Sequence, residues 1–240
     1  MNQYEAFIFD MDGTLIDNMP YHIRAWLSLF AQLGLEMTEA EFHHRLSGKT
    51  NAETVREMLG TDAPTAEIAR LTKQKELHYR AIYAPQLRPV AGLLAFLQRS
   101  RDAGLKTAVA TSAGPDNITF ILERLGLMET FTAVVGAHDV QNGKPHPDIF
   151  LTAAQRLRVD PAACLVFEDS HAGIEAARRA GMDVVVITTG LTDQEARAYP
   201  HVIHSAANYE MLPPGWLNGR KAIQHADAAI SETDRPMARA

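Results

Sequence analysis

Short apolar runs punctuate the chain, and polar residues close each of them. Ala6-Phe7-Ile8-Phe9 comes first and ends abruptly in Asp10-Met11-Asp12-Gly13-Thr14. An uninterrupted run of this length reads as a strand buried on both faces, the pattern of a parallel sheet. The rhythm then changes. Between Pro20 and Pro85 the apolar positions recur at helical spacing and no strand is predicted. His22, Trp26, Leu29, Phe30 and Leu33 share one helical face and Gly34 stops it. Further helices are predicted over 38–46, 51–59 and 65–84, the last bounded by Pro64 and Pro85. Its stripe of Ile68, Leu71, Tyr79 and Ile82 has Lys75 on the same face. A lone lysine there usually snorkels to solvent; the sharper reading is that it points into a cleft.

From Pro89 strands and helices alternate. Helices are predicted over 90–103, 116–125, 147–157 and 170–180, and strands over 106–110, 131–135, 164–167 and 184–187, with a weaker strand at 202–203. Repeated strand–helix units argue for a doubly wound parallel sheet, an α/β Rossmann-like core, with the all-helical piece inserted after the first strand. The predicted division is therefore core over 1–17, helical insertion over 18–86, core over 87–217 and a polar tail over 218–240, loosely held.

Composition narrows the class. The 240 residues are 46% hydrophobic and 22% charged, with 23 basic and 29 acidic residues giving a net charge of −6. There is no basic stripe for nucleic acid, no membrane-length apolar stretch, and nothing that points to a protein partner. The single Cys164 excludes an internal disulfide, and the N-terminus lacks a signal-peptide pattern, so a cytoplasmic protein is expected. His43-His44 and the other histidines lack metal-site spacing and read as surface residues.

In a parallel sheet, ligands bind beyond the carboxyl ends of the strands. The residues there form a consistent set. The first strand delivers Asp10 and Asp12, the second the hydroxyl pair Thr111-Ser112 ahead of a helix. Gly143-Lys144-Pro145-His146-Pro147 follows the third, where two prolines stiffen the backbone around one lysine. Glu168, Asp169 and Ser170 follow the fourth. Taken singly these are helix caps and surface charges; four coincidences at successive strand ends argue for chemistry. Four carboxylates against Lys144 call for a hard divalent cation, and Mg²⁺ suits an all-oxygen ligand set. One excess negative charge would remain, so one carboxylate should keep its proton and serve as a general acid. These are the parts of phosphoryl transfer through an aspartyl-phosphate.

Two rival motifs fail. A calcium loop starting at Asp10 requires Asp or Asn, Gly and Glu where the chain has Thr14, Leu15 and Tyr21. Ser47-Gly48-Lys49-Thr50 matches the end of a nucleotide P-loop, but His43 occupies the place of its first glycine and no strand precedes it.

Asp10-Met11-Asp12-Gly13-Thr14, Thr111-Ser112, Lys144-Pro145 and Glu168-Asp169, in this order, resemble the four motifs of the haloacid dehalogenase superfamily. Pro20-Tyr21-His22, Ala25-Trp26, Gly143-Lys144-Pro145 with Phe150, and Phe167-Glu168-Asp169-Ser170 with Ala172-Gly173-Ile174 resemble its β-phosphoglucomutase-like branch, which holds sugar-phosphate mutases and small-molecule phosphatases. The resemblance implies that the helical insertion is a cap and that Asp10 is a nucleophile which also binds Mg²⁺. It implies that Asp12 is the general acid and base and a metal ligand through its carbonyl, with Asp169 ligating and Glu168 beside it. Thr111, the Ser112 amide and Lys144 would hold the phosphoryl group, and Gly13-Thr14 would begin the flap through which the cap moves. His22, Trp26 and Lys75 match cap positions, and in the mutases His22 and Lys75 would influence Asp12 on closure.

The cap loop separates phosphatase from mutase. In β-phosphoglucomutases it carries a lysine before its glycine and an arginine three residues after it. Here Ser47, Gly48, Lys49, Thr50 and Asn51 stand there, both cationic positions neutral, with Lys49 as partial compensation. Net hydrolysis of a small phosphorylated metabolite, a sugar phosphate, is therefore expected. The alternatives are a sugar-phosphate mutase and a catalytically silent binding module.

Overall fold

The computed structural model describes residues 4–46 and 49–213. Ser47, Gly48 and the tail after Trp216 lie outside the described residues. Six strands form one parallel sheet: β1 Ala6–Phe9, β2 Lys106–Ala110, β3 Ala133–Val135, β4 Cys164–Glu168, β5 Asp183–Ile187 and β6 Val202–Ala206. Their order is β3-β2-β1-β4-β5-β6, so successive strands are laid outward from β1 on one side and then the other. The winding reverses between β1 and β4, where Phe9 pairs with Phe167, and a ligand crevice opens at such a reversal.

The alternation along β1 assigns the two faces. Phe7 and Phe9 point into one layer with Phe96, Phe167 and Tyr209, where the Phe9 and Phe167 rings stack at 4.7 Å between centroids. Ala6 and Ile8 point into the other, under Ile149, Phe150, Ile174 and Ala177. Helices α5 Leu93–Asp102 and α6 Pro115–Arg124 cover the first face; α7 Asp148–Leu157 and α8 His171–Arg179 cover the second. Both faces are thus sealed, which is why the strands read as unbroken apolar runs.

Among the described residues, four helices lie between β1 and α5: α1 Met19–Gln32, α2 Glu39–Leu46, α3 Asn51–Leu59 and α4 Thr65–Tyr83, the last followed by a 3₁₀ turn over Ala84–Gln86. They bury a separate cluster of their own, with Ile23, Trp26, Leu29, Phe30, Phe42, Val55, Ile68 and Leu71. Two crossing segments tie this insertion to the sheet, and Ile16 bridges Pro89 where they run side by side.

Element ends differ from expectation in interpretable ways. The helix expected from residue 90 begins at Leu93, because Val90 is engaged with the crossing segment through a hydrogen bond to Leu15 O. Strand β6 runs to Ala206, and a short helix α9, Asp193–Arg197, precedes it, opened by a Thr192–Glu195 capping box. Leu33 is the C-cap of α1 and is exposed, so it does not extend the apolar face. Tyr83, not Ile82, completes the buried stripe of α4. His43 and His44 are exposed on α2.

Candidate active site

Asp10 follows the last residue of β1, and its amide donates to Phe167 O, fixing it against the end of β4. The chain then turns within a few residues: Gly13 N donates to Ile16 O at 2.7 Å and Leu15 N to Met11 O at 2.9 Å. Gly13 has φ +84°, and a Cβ there would stand 2.0 Å from Asp169 Oδ2. Only glycine permits both the turn and the approach of the Asp169 carboxylate.

From the loop after β3, Lys144 Nζ donates to Asp10 Oδ1 and to Glu168 Oε1, each at 2.6 Å. The lysine is buried and lies 5.0 Å over the Phe150 ring of α7, so its ammonium is aimed by packing as well as by charge. The Lys144–Pro145 peptide is cis. Glu168, the last residue of β4, is fully buried. Its Oε2 accepts from Asp169 N, Ser170 N and Ser170 Oγ, while Ser170 also caps α8 through Gly173 N. Gly173 makes room for this carboxylate, since a Cβ there would lie 1.7 Å from Glu168 Oε1.

Asp10, Glu168 and Asp169 offer carboxylate oxygens within 4.8 Å of one another, all three buried. Burial pushes the Asp10 carboxyl above the ordinary carboxylate range against the pull of Lys144, and burial with Glu168 and Asp10 nearby does the same to Asp169. Although burial opposes its charge, Asp10 and Glu168 hold Lys144 cationic well above its usual range. Three buried carboxylates around one ammonium are a site short of positive charge, and their donor atoms are all hard oxygens. That set fits a small divalent cation such as Mg²⁺.

Asp12 is set apart from this cluster. Burial is the largest influence on it and, together with Glu76, outweighs a hydrogen bond from Asn18, raising its pKa to about 6. Asn18 Nδ2 donates to Asp12 Oδ1 and to Tyr79 Oη, each at 2.6 Å. Although Asn18 occupies the N-cap of α1, its side chain makes no capping bond and turns inward instead. His22 Nε2 stands 4.0 Å from Asp12 Oδ1. Lys75 Nζ contacts His22 Nδ1 at 2.7 Å and Glu76 Oε1 at 3.0 Å, and lies 5.4 Å over the Trp26 ring. Lys75 is buried against His22 and the Trp26 and Tyr79 rings, all within the insertion, and does not snorkel. Because an ammonium only donates, His22 Nδ1 is the acceptor; burial, reinforced by Lys75, lowers its pKa to about 3. Burial works against the Glu76 charge, but Lys75, His22 and a hydrogen bond from Asn117 hold its pKa down at about 2.

The remaining expected residues are spread more widely. Thr111 is buried beside the cluster's strand ends, and its Oγ1 accepts from Ala113 N, leaving the hydroxyl proton to donate elsewhere. Ser112 is exposed at the mouth of the loop. In the insertion, Lys49 Nζ pairs with Glu57 at 3.3 Å, and Asn51 Nδ2 donates to Glu76 Oε1 at 3.0 Å. Gly48 is outside the described residues. Sequence reasoning missed Asn18, Glu76 and Thr189. Thr189, after β5, donates to the Gly13 carbonyl and so buttresses the turn. A Thr-Thr-Gly run directly after an apolar strand was the available signal.

Comparison with known proteins agrees with this geometry. The family profile of haloacid dehalogenase-like hydrolases matches residues 7–187. Fructose-1-phosphate phosphatase YqaB of Escherichia coli is 34% identical over 183 residues, 76% of this chain and 96% of that protein. Beta-phosphoglucomutase of Bacillus subtilis is also 34% identical, over 78% of this chain and 84% of its own length. A family IA hydrolase of the superfamily from Entamoeba histolytica superposes with a TM-score of 0.83 at 25% identity, covering 89% and 97% of the two chains. The strand order, the inserted helices and these matches together place the chain in the haloacid dehalogenase superfamily, in its β-phosphoglucomutase-like branch.

Proposed function

We propose that this protein is a Mg²⁺-dependent phosphatase of a small phosphorylated metabolite, of the sugar-phosphate class, working through a phosphoryl-Asp10 intermediate. The observation that carries the reading is the buried trio Asp10, Glu168 and Asp169 around Lys144, with Asp12 held apart near pKa 6. A carboxylate pinned by an ammonium is an oriented nucleophile, and a neighbour near pKa 6 exchanges a proton close to neutral pH.

In the first half-reaction an Asp10 oxygen attacks phosphorus and the bond to the substrate oxygen breaks. Asp12 gives its proton to that departing oxygen. In the second, water attacks the phosphoryl group, Asp12 takes back a proton, and the Asp10 carboxylate is regenerated as phosphate leaves. Lys144, Thr111 and the Ser112 amide would hold the phosphoryl oxygens, while Asn18 and His22 orient Asp12. Asp10, Asp169 and the Asp12 carbonyl would hold Mg²⁺, with Glu168 beside them, both its oxygens already accepting hydrogen bonds from the chain. When bound, the ion supplies positive charge to the phosphoryl oxygens. The helical insertion acts as a cap that excludes water during the first step.

Hydrolysis is favoured over mutase turnover by the side chains of the cap loop that the structure describes. Lys49 is paired with Glu57, and Asn51 is an uncharged amide that donates to Glu76, so neither presents a free cation to a second phosphate. Losing a charge-assisted phosphate contact costs on the order of 2 kcal/mol. The test is phosphate release across a panel of sugar phosphates and bisphosphates, with and without a chelator. Release that needs Mg²⁺ and falls by orders of magnitude in Asp10→Asn is the expected result. Conversion of β-glucose 1-phosphate to glucose 6-phosphate faster than to free phosphate would establish the mutase, and silence across the panel a binding module.

A further inference from the structure

Helix α4 of the cap touches helix α6 of the core through an interlocked set of polar groups, of which the chemistry above uses only the charge of Glu76 beside Asp12. Asn117 sits in the first turn of α6, just beyond the Thr111-Ser112 loop, and is buried. Its Nδ2 donates to Glu76 Oε2 at 2.8 Å and its Oδ1 accepts from Arg80 Nη1 at 2.7 Å. Glu76 and Arg80 are one turn apart on α4, so a single core amide is held at both ends by one face of a cap helix. The other Glu76 oxygen stays within the cap, accepting from Lys75 Nζ and Asn51 Nδ2, each at 3.0 Å. Lys75 in turn contacts His22, which faces Asp12, and Asn51 opens α3 beside the cap loop.

We propose that Glu76 is a positioning residue that clamps the cap onto the core through Asn117, with Arg80 fixing which way the Asn117 amide faces. The clamp rests on the phosphatase reading only for its kinetic consequence; as a cap–core contact it stands on the geometry alone. The polarity is what makes it specific. A carboxylate accepts at both oxygens, so Glu76 serves Lys75, Asn51 and Asn117 together, and Arg80 forbids the Asn117 amide from flipping. One groove of donors and acceptors thereby ties the cap loop, the Lys75-His22 pair and the phosphate-binding loop into one register.

The same polarity defines a test by exchange. Asn117→Asp alone sets two carboxylates against each other, and Glu76→Gln alone leaves one acceptor oxygen for donors on two sides, so its amide donor meets either Asn117 or the Lys75 and Asn51 donors. When the two substitutions are combined, the new amide on α4 donates to the new carboxylate on α6. Arg80 pairs with that carboxylate as well, so the contact is rebuilt with its polarity reversed. Cap position is read as a distance distribution between spin labels at Arg56→Cys and Glu129→Cys, both exposed; the native Cys164 is buried and stays unlabelled. Each single variant is expected to broaden and lengthen that distribution. Each should also raise KM about tenfold, the effect of losing one hydrogen bond to a charged group; kcat should change much less in Asn117→Asp, whereas Glu76→Gln also removes a charge that helps raise the Asp12 pKa. The double variant should return both readings toward those of the parent. Unchanged distances in Asn117→Asp, or a double variant as open as or less folded than that single, would overturn the clamp. Absence of phosphatase activity in the parent would overturn the functional reading and leave the distance test of the clamp intact.

Discussion

Gly13 shows how closely the residues of this site constrain one another. Its Cβ position is taken by the Asp169 carboxylate, and its φ of +84° lies where side chains are strained. Gly13→Ala is therefore expected to push Asp169 out of the carboxylate cluster and to cost about 1–3 kcal/mol in backbone strain. Loss of Mg²⁺ affinity measured by calorimetric titration, with the circular dichroism of the parent retained, is the predicted outcome. His22 supplies a second prediction with a definite sign. Its folded pKa of about 3 lies below the ordinary 6.5, so the unfolded chain takes up a proton that the folded chain refuses. The resulting penalty is absent above the unfolded value and grows as pH falls through 6.5 toward 3. At pH 5 it amounts to roughly 2 kcal/mol at most. In urea melts the stability advantage of the parent over His22→Gln should shrink by about that much between pH 7.5 and pH 5, and parallel curves would show that His22 is not buried neutral.

At the scale of elements, what could be read from the chain were the strand ends. β1 and β2 lie where the apolar runs place them, and the residues that follow β1, β3 and β4 converge because parallel strands put every loop of this kind on one edge. What could not be read were contacts between elements far apart in sequence. No local pattern marks Asn18 or Glu76, and only when α4 is laid across α1 do Tyr79, Lys75 and Glu76 come around His22 and Asp12. No periodicity encodes that crossing. Local signals that close on themselves remain reliable: Thr50 caps α3, exchanging hydrogen bonds with Glu53 in a capping box. Thr50→Ala should cost about 1 kcal/mol, the usual worth of an N-cap. The loss should fall on the helical insertion, seen as faster amide exchange in α3 with the strands of the sheet unaffected.

The whole molecule carries two hydrophobic layers on one sheet and a third cluster in the insertion, and the charge-deficient site belongs to the sheet alone. Stability and cation binding should therefore be linked with a change of sign. Without a divalent ion, Asp169 is a buried carboxylate whose pKa is raised by burial and by Glu168 and Asp10, so its charge opposes folding at neutral pH. A raised folded pKa means stability is greatest at low pH and is lost as pH climbs through the folded value. Asp169→Asn removes that charge, and in chelator at pH 7.5 the variant should melt above the parent. With Mg²⁺ at a hundredfold excess over its dissociation constant, binding adds about 2.7 kcal/mol to the parent. For a chain of this size that is a shift of roughly 5–10 °C. The variant, having lost a ligand, should gain far less, so the order of the two melting temperatures reverses on adding the ion. Calorimetry of both proteins in chelator and in Mg²⁺ reads this directly. If the parent and Asp169→Asn respond to Mg²⁺ equally, the cation does not sit among Asp10, Glu168 and Asp169. If the variant is less stable in chelator as well, the Asp169 charge does not oppose folding.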